Sequence, residues 1–183
     1  MNIQDKQEWQ FVDEKLNALF PYYTKSFLDV LSTWELEDKH VFEFGGGASS
    51  LWFLLKGCYV DCVDSSEDWA IKIRKHAQER NVGVRLRVKH FDNKEECIER
   101  LKAADPYDII VVDCDPVEWR DDFILSSMFA IKNEGLIIVD NFDQPSVWMS
   151  SKKTRDKLWG YPCEIYKCDG HPDWQTAVFK IYK

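Results

Sequence analysis

A glycine-rich turn and an aspartate shortly after it are the residues whose types and spacing most directly suggest chemistry. The turn reads Glu43-Phe44-Gly45-Gly46-Gly47-Ala48-Ser49-Ser50. Its glycines permit positive φ and let a ligand approach the backbone, while Ser49 or Ser50 can cap the next helix. Asp64 follows Gly45 by nineteen residues, a spacing at which a carboxylate accepts hydrogen bonds from ribose hydroxyls. Taken singly, the turn could merely reverse the chain and Asp64 could merely cap a helix.

A second set of polar residues follows two apolar segments further along the chain. Asp113 ends one of them and the pair Asp140-Asn141 ends the other. If these segments are neighbouring parallel strands, the three side chains meet at one edge of the sheet. Two carboxylates and an amide oxygen suit a hard cation such as Mg²⁺ or Ca²⁺. Alternatively, Asp113 orients a ligand without a metal, and Asp140-Asn141 caps the following helix.

Alternating strands and helices must position these residues, because the hydrophobic period switches repeatedly along the chain. The predicted strands cover residues 41–44, 59–63, 84–88, 107–112, 135–139, 163–168 and 176–182. The predicted helices lie near residues 9–19, 27–34, 49–56, 69–77, 97–101, 123–131 and 147–158. The last two strands are joined by Asp169-Gly170-His171-Pro172, a turn-rich connection typical of a hairpin.

This order predicts an α/β fold with three layers: a doubly wound, mostly parallel, seven-stranded sheet that ends in a C-terminal antiparallel hairpin. The length of 183 residues predicts one domain. Within it we expect an N-terminal helical cap over residues 1–38 and a catalytic α/β core over residues 39–183. Ligands of such sheets bind outside the carboxyl ends of the strands.

Composition limits the class of partner. With 24 Lys and Arg against 32 Asp and Glu the formal charge is −8, which disfavours binding to nucleic acid. The apolar run over residues 51–55 is far shorter than the roughly 20 residues that span a bilayer, and the first residues are polar. We therefore expect a cytoplasmic chain that does not bind membranes. Its six scattered cysteines are expected to be reduced and partly buried.

The glycine turn with Glu43 before it, together with the acids after the second and third predicted strands, resembles the class I S-adenosylmethionine (SAM)-dependent methyltransferases. Glu43-x-Gly45-x-Gly47 is similar to the acidic-x-Gly-x-Gly loop of that family, Asp64 to its ribose carboxylate, and Asp92 to its adenine-facing acid. The resemblance implies a Rossmann-like methyltransferase fold with SAM as the cofactor. The cofactor-binding residues that it implies are Glu43, Gly45, Gly46, Gly47, Ser49, Asp64, Ser65 and Asp92.

Asp113, Asp140 and Asn141 resemble the metal ligands of the catechol O-methyltransferase-like group. The resemblance implies a Mg²⁺ or Ca²⁺ ion that chelates two substrate oxygens, with Asp113 as the catalytic residue at the reacting methyl. Pro116 stands where that group carries a lysine base. The general base is therefore unassigned, and the candidates are Asp115, His90 and His171.

The resulting prediction is a SAM-dependent methyltransferase that acts on a small molecule at oxygen. This prediction is compatible with a homo-oligomer. One alternative is a methyltransferase-fold binding module or pseudoenzyme. A nicotinamide-dependent oxidoreductase is a further alternative because Asp64 suits NAD equally, although the chain has no Tyr-x-x-x-Lys pair. An N-methyltransferase is disfavoured because Val117 and Glu118 follow Asp115-Pro116, where amino-methyltransferases carry proline and an aromatic residue.

Two features near the C-terminus have less specific meanings. The basic run Ser151–Lys157 could meet an anionic substrate or be one solvated helix face. Trp148, Trp159 and Trp174 could line an aromatic pocket or pack in the core.

Overall fold

The computed structural model describes residues 21, 23–142, 156–158, 160–168 and 171–183, with the side chains of residues 168 and 171–174 excepted. The helices predicted near residues 9–19 and 147–158 therefore lie outside the described residues, apart from the last turn of the second. The same holds for most of the basic run, for Trp148 and Trp159, and for the side chains of His171 and Trp174.

Seven strands form one sheet in the order β3-β2-β1-β4-β5-β7-β6. Strands β1 to β5 pair in parallel, whereas β7 runs antiparallel to both β5 and β6. This confirms the predicted mostly parallel sheet with a C-terminal antiparallel hairpin. The strands are β1 His40–Phe44, β2 Tyr59–Asp64, β3 Leu86–His90, β4 Tyr107–Val112, β5 Ile131–Val139, β6 Cys163–Cys168 and β7 His171–Lys180.

Five helices in the described residues cover the two faces of the sheet. They are α1 Lys25–Leu31, α2 Ala48–Leu55, α3 Glu67–Glu79, α4 Lys94–Lys102 and α5 Arg120–Ala130. Side chains of α1, α2 and α3 share one buried cluster, and those of α4 and α5 share the other. In β1 the side chains alternate between the two, with Val41 in the first cluster and Phe42 and Phe44 in the second. This gives the three layers.

Local sequence explains where two of these helices begin. Ser66 accepts a hydrogen bond from the backbone of Trp69 at the start of α3, and Asn93 accepts one from Glu96 at the start of α4. Such side-chain caps satisfy backbone N–H groups that the first turn leaves without partners. Both helices therefore start directly after the carboxyl edge of the sheet, where the predicted site lies.

Several predicted strand boundaries were wrong, and β7 begins at His171, within the predicted turn, instead of at residue 176. Val84 lies in a 3-10 turn and is 92% exposed, so β3 begins only at Leu86. Ile131 was expected in the helix before β5, but it is extended (φ −84, ψ 146) and opens that strand, pairing with Tyr107. A short apolar segment at a helix–strand junction fits either element, so periodicity could not place the boundary.

The segment before α1 is tied to the C-terminal hairpin. The backbone N–H of Thr24 donates to Thr176 Oγ1 at 3.3 Å, and Ser26 Oγ donates to the carbonyl of Lys167 at 3.1 Å. Phe27 packs its ring at 5.2 Å from the ring of Tyr166. These contacts fix Tyr23, which precedes them, above the face of the sheet that α1 covers. No helix in the described part of the chain is long and apolar enough to cross a membrane.

Candidate active site

The turn between β1 and α2 has no room for side chains at its first two glycines. Gly45 has φ +84, and a Cβ there would lie 1.9 Å from the carbonyl oxygen of Asp113. A Cβ on Gly46 would lie 2.1 Å from Cys62 Sγ. Because the backbone passes so close to the ends of β2 and β4, glycine is required at both positions.

Hydrogen bonds hold this turn to the neighbouring strands. The backbone N–H of Gly45 donates to the carbonyl of Val63 at 2.9 Å, and that of Asp113 donates to Phe44 at 2.9 Å. The N–H of Gly46 donates to Asp64 Oδ2 at 3.1 Å. The turn and the carboxylate that the sequence analysis paired are therefore in direct contact.

Asp64 is held at the end of β2 by two backbone donors. Ser66 N–H donates to its Oδ1 at 2.8 Å, in addition to the bond from Gly46. Burial raises the pKa of Asp64 to about 6, although both N–H groups act in the opposite direction. A carboxylate has about four acceptor positions, so Asp64 retains acceptor capacity for hydroxyl groups of a ligand.

A cavity of about 400 Å³ lies between the glycine turn, the end of β2 and the end of β4. Its lining residues are Gly45, Gly46, Asp64, Ser65, Ser66, Trp69, Asp113, Cys114 and Asp115. Ser65 Oγ donates to the carbonyl of Asp115 at 3.0 Å and so joins two sides of the cavity. The location agrees with the expectation that ligands of such sheets bind at the carboxyl ends of the strands.

Trp69 forms part of the cavity wall, a role that its place in the apolar stripe of α3 did not indicate. Its indole N–H donates to the carbonyl of Gly46. A Cβ on Gly47 would lie 3.5 Å from its ring, so the indole packs against the turn. A flat aromatic surface beside a hydrogen-bonding carboxylate suits a nucleoside, which has both a ring system and hydroxyl groups.

Glu43 and Tyr23 place polar groups in the buried region beside the turn. Glu43 is fully buried, and its Oε2 accepts a hydrogen bond from Ser50 Oγ. Burial raises its pKa to about 7. Ser49 lies near both Glu43 and Tyr23. Even so, Glu43 Oε1 and the Tyr23 hydroxyl have no partner with hydrogen-bond geometry among the described residues. Buried polar groups without a hydrogen-bond partner destabilise the fold unless a ligand or a water molecule supplies that partner.

Replacing Glu43 by glutamine should stabilise the ligand-free protein at pH 8 by about 1–3 kcal/mol. Because the folded-state pKa is raised to about 7, Glu43 favours folding when protonated, and this contribution is lost as the pH rises from its ordinary value of 4.5 through 7. Glutamine does not titrate and can still accept from Ser50. Chemical unfolding of the wild type and E43Q at pH 5.5 and 8 measures the difference.

The matched control is E99Q, which neutralises an exposed glutamate in α4. We expect E99Q to change the free energy of unfolding equally at both pH values. A stability difference between E43Q and the wild type that does not grow with pH would contradict the buried, proton-binding state of Glu43.

Arg120 connects the ends of β4 and β5, and it was not among the residues predicted for the site. The residue is 4% exposed. Its Nε donates to the carbonyl of Cys114 at 2.8 Å and its Nη1 to the carbonyl of Asp140 at 2.8 Å. Its Nη2 donates to Asp113 Oδ1 at 3.2 Å. An arginine in the first turn of a helix opposes the helix dipole, and this unusual position is the one sequence signal that could have marked it.

Asp140 lies behind Asp113 and is almost completely buried. Thr176 Oγ1 donates to its Oδ1 at 2.7 Å, and the backbone N–H of Asn141 also supports the carboxylate. Burial, followed by the charge of Asp113, raises the pKa of Asp140 to about 7. Burial likewise raises the pKa of Asp113, and the Arg120 guanidinium acts in the opposite direction. The parallel register of Val112 with Val139 brings these carboxylates together.

Two of the three predicted metal ligands are already paired with other side chains in this arrangement. Asp113 is bonded to Arg120 and Asp140 to Thr176. Asn141 is in the left-handed region, with φ 51, within the turn after β5. Among the described residues, no group of three His, Cys, Asp or Glu side chains could hold a metal ion. Asp113 and Asp140 are close, as predicted, but a guanidinium already supplies positive charge beside them.

Asp92 and the candidate bases lie at different distances from the cavity. Asp92 follows β3, is 90% exposed in its side chain, and pairs with His90 at 3.3 Å between Nε2 and Oδ1. Neither residue lines the cavity, although His90 is near enough to lower the pKa of Asp64. Asp115 lines the cavity, and the side chain of His171 is outside the described residues. The adenine-facing role of Asp92 stays a prediction.

A second cavity, of about 500 Å³, opens at the amino edge of the sheet. Its most buried charge, Asp108, already accepts from Lys132 Nζ at 2.8 Å and from the backbone of His40 at 2.9 Å. These contacts lower the pKa of Asp108 despite its partial burial. Asp108 is therefore already paired, and the cavity at the carboxyl edge is the better candidate site.

No protein-family model and no curated protein matches this sequence. Solved structures do match. An O-methyltransferase from Bacillus cereus, crystallised with S-adenosylhomocysteine (SAH), superposes with a TM-score of 0.70 at 16% identity, over 93% of this chain and 90% of that chain. A SAM-dependent O-methyltransferase from Thermotoga maritima gives a TM-score of 0.67 at 14% identity, over 94% and 71%.

A third match is the O-methyltransferase TomG from Streptomyces achromogenes, which takes part in tomaymycin synthesis and was crystallised with SAM. It gives a TM-score of 0.65 at 15% identity, over 79% of this chain and 74% of that chain. At such identities the likeness establishes the fold and not the activity. The Rossmann-like methyltransferase architecture predicted from the sequence is thereby confirmed.

Proposed function

We propose that this chain, which has the fold of class I SAM-dependent methyltransferases, transfers a methyl group from SAM to an oxygen atom of a small molecule. The observation that carries the proposal is the contact between the glycine turn and Asp64 at one cavity, 3.1 Å from Gly46 N to Asp64 Oδ2. Glycines in the turn let a ligand approach the backbone, and the adjacent carboxylate can accept hydrogen bonds from hydroxyl groups. This combination supports a nucleoside cofactor.

The residues around the cavity fit the two ends of SAM. Asp64, Ser65 and Trp69 would hold the nucleoside, since they offer a carboxylate, a hydroxyl and an aromatic face. Gly45, Gly46 and Gly47 would admit the methionine end, beside Glu43 and Ser49. The glycines matter because a Cβ at either of the first two would collide with neighbouring atoms.

The electrostatics of the buried region favour the amino-acid end of the cofactor. Burial, followed by the charges of Glu43, Asp113 and Asp140, raises the pKa of the Tyr23 hydroxyl, so these three acids surround the same buried region. An ammonium group could donate to Glu43 Oε1 and to the Tyr23 oxygen, two buried atoms that have no partner with hydrogen-bond geometry among the described residues. Satisfying both would remove a cost of roughly 1–3 kcal/mol for each atom.

When bound, SAM supplies an electrophilic methyl group on a positively charged sulfur. The protein residues hold the reactants in line, and such orientation can contribute roughly 7–11 kcal/mol. We propose that Asp113, on the cavity wall and fixed by Arg120, lies beside the acceptor. Asp115 is the candidate base that lines the same cavity, so we propose that it takes the proton of the acceptor hydroxyl. Oxygen as the acceptor atom is supported by the fold relatives named above.

The test is a methyl-transfer assay with labelled SAM and a panel of small phenols, catechols, hydroxy acids and amines. We expect label in a hydroxyl-bearing acceptor, with formation of SAH in equal amount. The matched control is D105N, because Asp105 is an exposed loop carboxylate away from the cavity. Transfer only to amines would contradict the choice of oxygen. SAH binding without any transfer would favour the binding-module alternative, and failure to bind SAH would contradict the proposed cofactor.

A further inference from the structure

Arg120 is a buried cation whose three described hydrogen bonds all lie where strands β4 and β5 end. Two of them go to backbone carbonyls, of Cys114 and Asp140, and the third goes to the carboxylate of Asp113. A guanidinium is always charged in proteins and is rarely buried without partners. Its charge is therefore part of the site and not of the surrounding solvent-exposed surface.

The position of this charge matters because the surrounding side chains are acidic. The negative charge of Asp115 acts on Asp113, and the negative charge of Asp113 acts on Asp140. Among the described residues, Arg120 is the cation that acts on the pKa of both Asp113 and Asp140, lowering each. Without it, two nearby carboxylates would be left with backbone and hydroxyl donors alone, and such a group attracts a divalent ion.

We propose that Arg120 is a built-in cation that takes the electrostatic place of the predicted divalent metal, so that the site works without Mg²⁺ or Ca²⁺. The inference rests on the proposed methyl transfer for its meaning but not for its test. Arg120 acts as a positioning residue: it orients Asp113 on the cavity wall and joins the ends of β4 and β5.

Binding of a metal at Asp113 and Asp140 would have to disrupt this arrangement. Asp113 would have to exchange its contact with Arg120, 3.2 Å long, for the ion, which leaves a buried guanidinium close to a second positive charge. Asp140 would have to give up the hydroxyl of Thr176, which also accepts from the backbone of Thr24. The cation site is thus blocked by both charge and hydrogen bonding.

The test measures Mn²⁺ binding by electron paramagnetic resonance to wild type, R120M and R120K, each checked for folding by circular dichroism. We expect no saturable binding to the wild type or to R120K below about 1 mM, the weak end of protein cation sites. We expect R120M to bind Mn²⁺ at least about tenfold more tightly, because it frees two buried carboxylates from a neighbouring positive charge. If R120K, like the wild type, does not bind Mn²⁺, then the positive charge at residue 120 excludes the metal and the hydrogen-bonding geometry of arginine is not required for this.

R100M is the matched control, since Arg100 also pairs with a mostly buried aspartate, Asp61, at 3.2 Å. We expect R100M to gain no Mn²⁺ affinity. The described partners of Asp61 are arginine and tyrosine side chains, and no second carboxylate is among them. Equal Mn²⁺ affinity of R120M and the wild type would overturn the proposal.

The wild type alone decides the question if R120M does not fold. Saturable Mn²⁺ binding to the wild type that is lost in D140N would overturn the proposal, and its absence would support it. An SAH titration of the same wild-type sample tests the proposed function separately. SAH binding supports the proposed function alone, whereas failure to bind SAH contradicts the function and leaves the Mn²⁺ result valid.

Discussion

Gly45→Ala should destabilise the protein by at least about 3 kcal/mol, the largest stability change expected for a methyl group added at any glycine in the described part of the chain. Two costs add together. Gly45 has φ +84, a conformation that costs an alanine roughly 1–2 kcal/mol. In addition, the new Cβ would lie 1.9 Å from the carbonyl oxygen of Asp113, and a backbone carbonyl cannot rotate away as a flexible side chain can.

For a chain of this length, a loss of about 3 kcal/mol lowers the melting temperature by roughly 6–12 °C. Thermal unfolding followed by circular dichroism measures it. Gly160→Ala is the matched control, because Gly160 also has positive φ, +108, but an added Cβ there would meet nothing within 4 Å. The difference between the two variants isolates the collision with β4. Equal melting temperatures for G45A and G160A would contradict the close approach of the turn to Asp113.

Asp64→Asn should weaken SAH binding about 100-fold or more while the fold survives. The carboxylate would accept charge-assisted hydrogen bonds from ribose hydroxyls, each worth about 1.5–3 kcal/mol, and an amide offers one neutral oxygen in their place. Asparagine has the same size, so its oxygen can still accept from either Gly46 or Ser66. Isothermal titration calorimetry at pH 7.5 gives the affinity, and the melting temperature checks folding.

The pH dependence of binding provides the internal control. The pKa of Asp64 in the free protein is raised to about 6, so the carboxyl group becomes protonated as the pH falls below that value. SAH affinity of the wild type should therefore fall by about tenfold between pH 7 and pH 5. D64N should lack the part of this dependence that belongs to Asp64. An affinity that is independent of residue 64 at every pH would mean that the cavity does not hold a nucleoside through this carboxylate.

These two predictions draw on the same structural fact, the meeting of the first and second strand ends. The glycine turn and Asp64 were paired from sequence because both follow strands of a parallel sheet, and the contact at 3.1 Å agrees with that expectation. The order of strands and helices was predictable for a related reason: each element carries its own hydrophobic period in a short window of sequence. The nearly all-apolar segment Tyr107–Val112 is the clearest case, since it became β4 with the predicted bounds.

Contacts between distant segments were not predictable in the same way. Tyr23 and Thr24 precede α1, yet Thr24 bonds to Thr176, 152 residues later in the chain. No local pattern specifies such a pairing. It depends on β7 inserting between β5 and β6, which places Thr176 beside Asp140 and in reach of the N-terminal segment.

The pairing of the predicted metal ligands was not predictable for a similar reason. Sequence placed Asp113 and Asp140 at neighbouring strand ends, and the register of β4 with β5 agrees. It could not show which groups those carboxylates would bind, because that depends on where α5 delivers Arg120. A carboxylate beside a guanidinium and a carboxylate beside a metal ion look identical in sequence.

The sequence alone therefore determined the elements, their order, and which edge of the sheet carries the polar residues, because these follow from local periodicity and from the rules of parallel sheets. Only the tertiary structure decided how the buried charges are paired: Asp113 with Arg120, Asp140 with Thr176, and Glu43 with Ser50. The physical reason is that burying a charge is costly without a partner, and the partner is chosen by three-dimensional proximity and not by spacing along the chain.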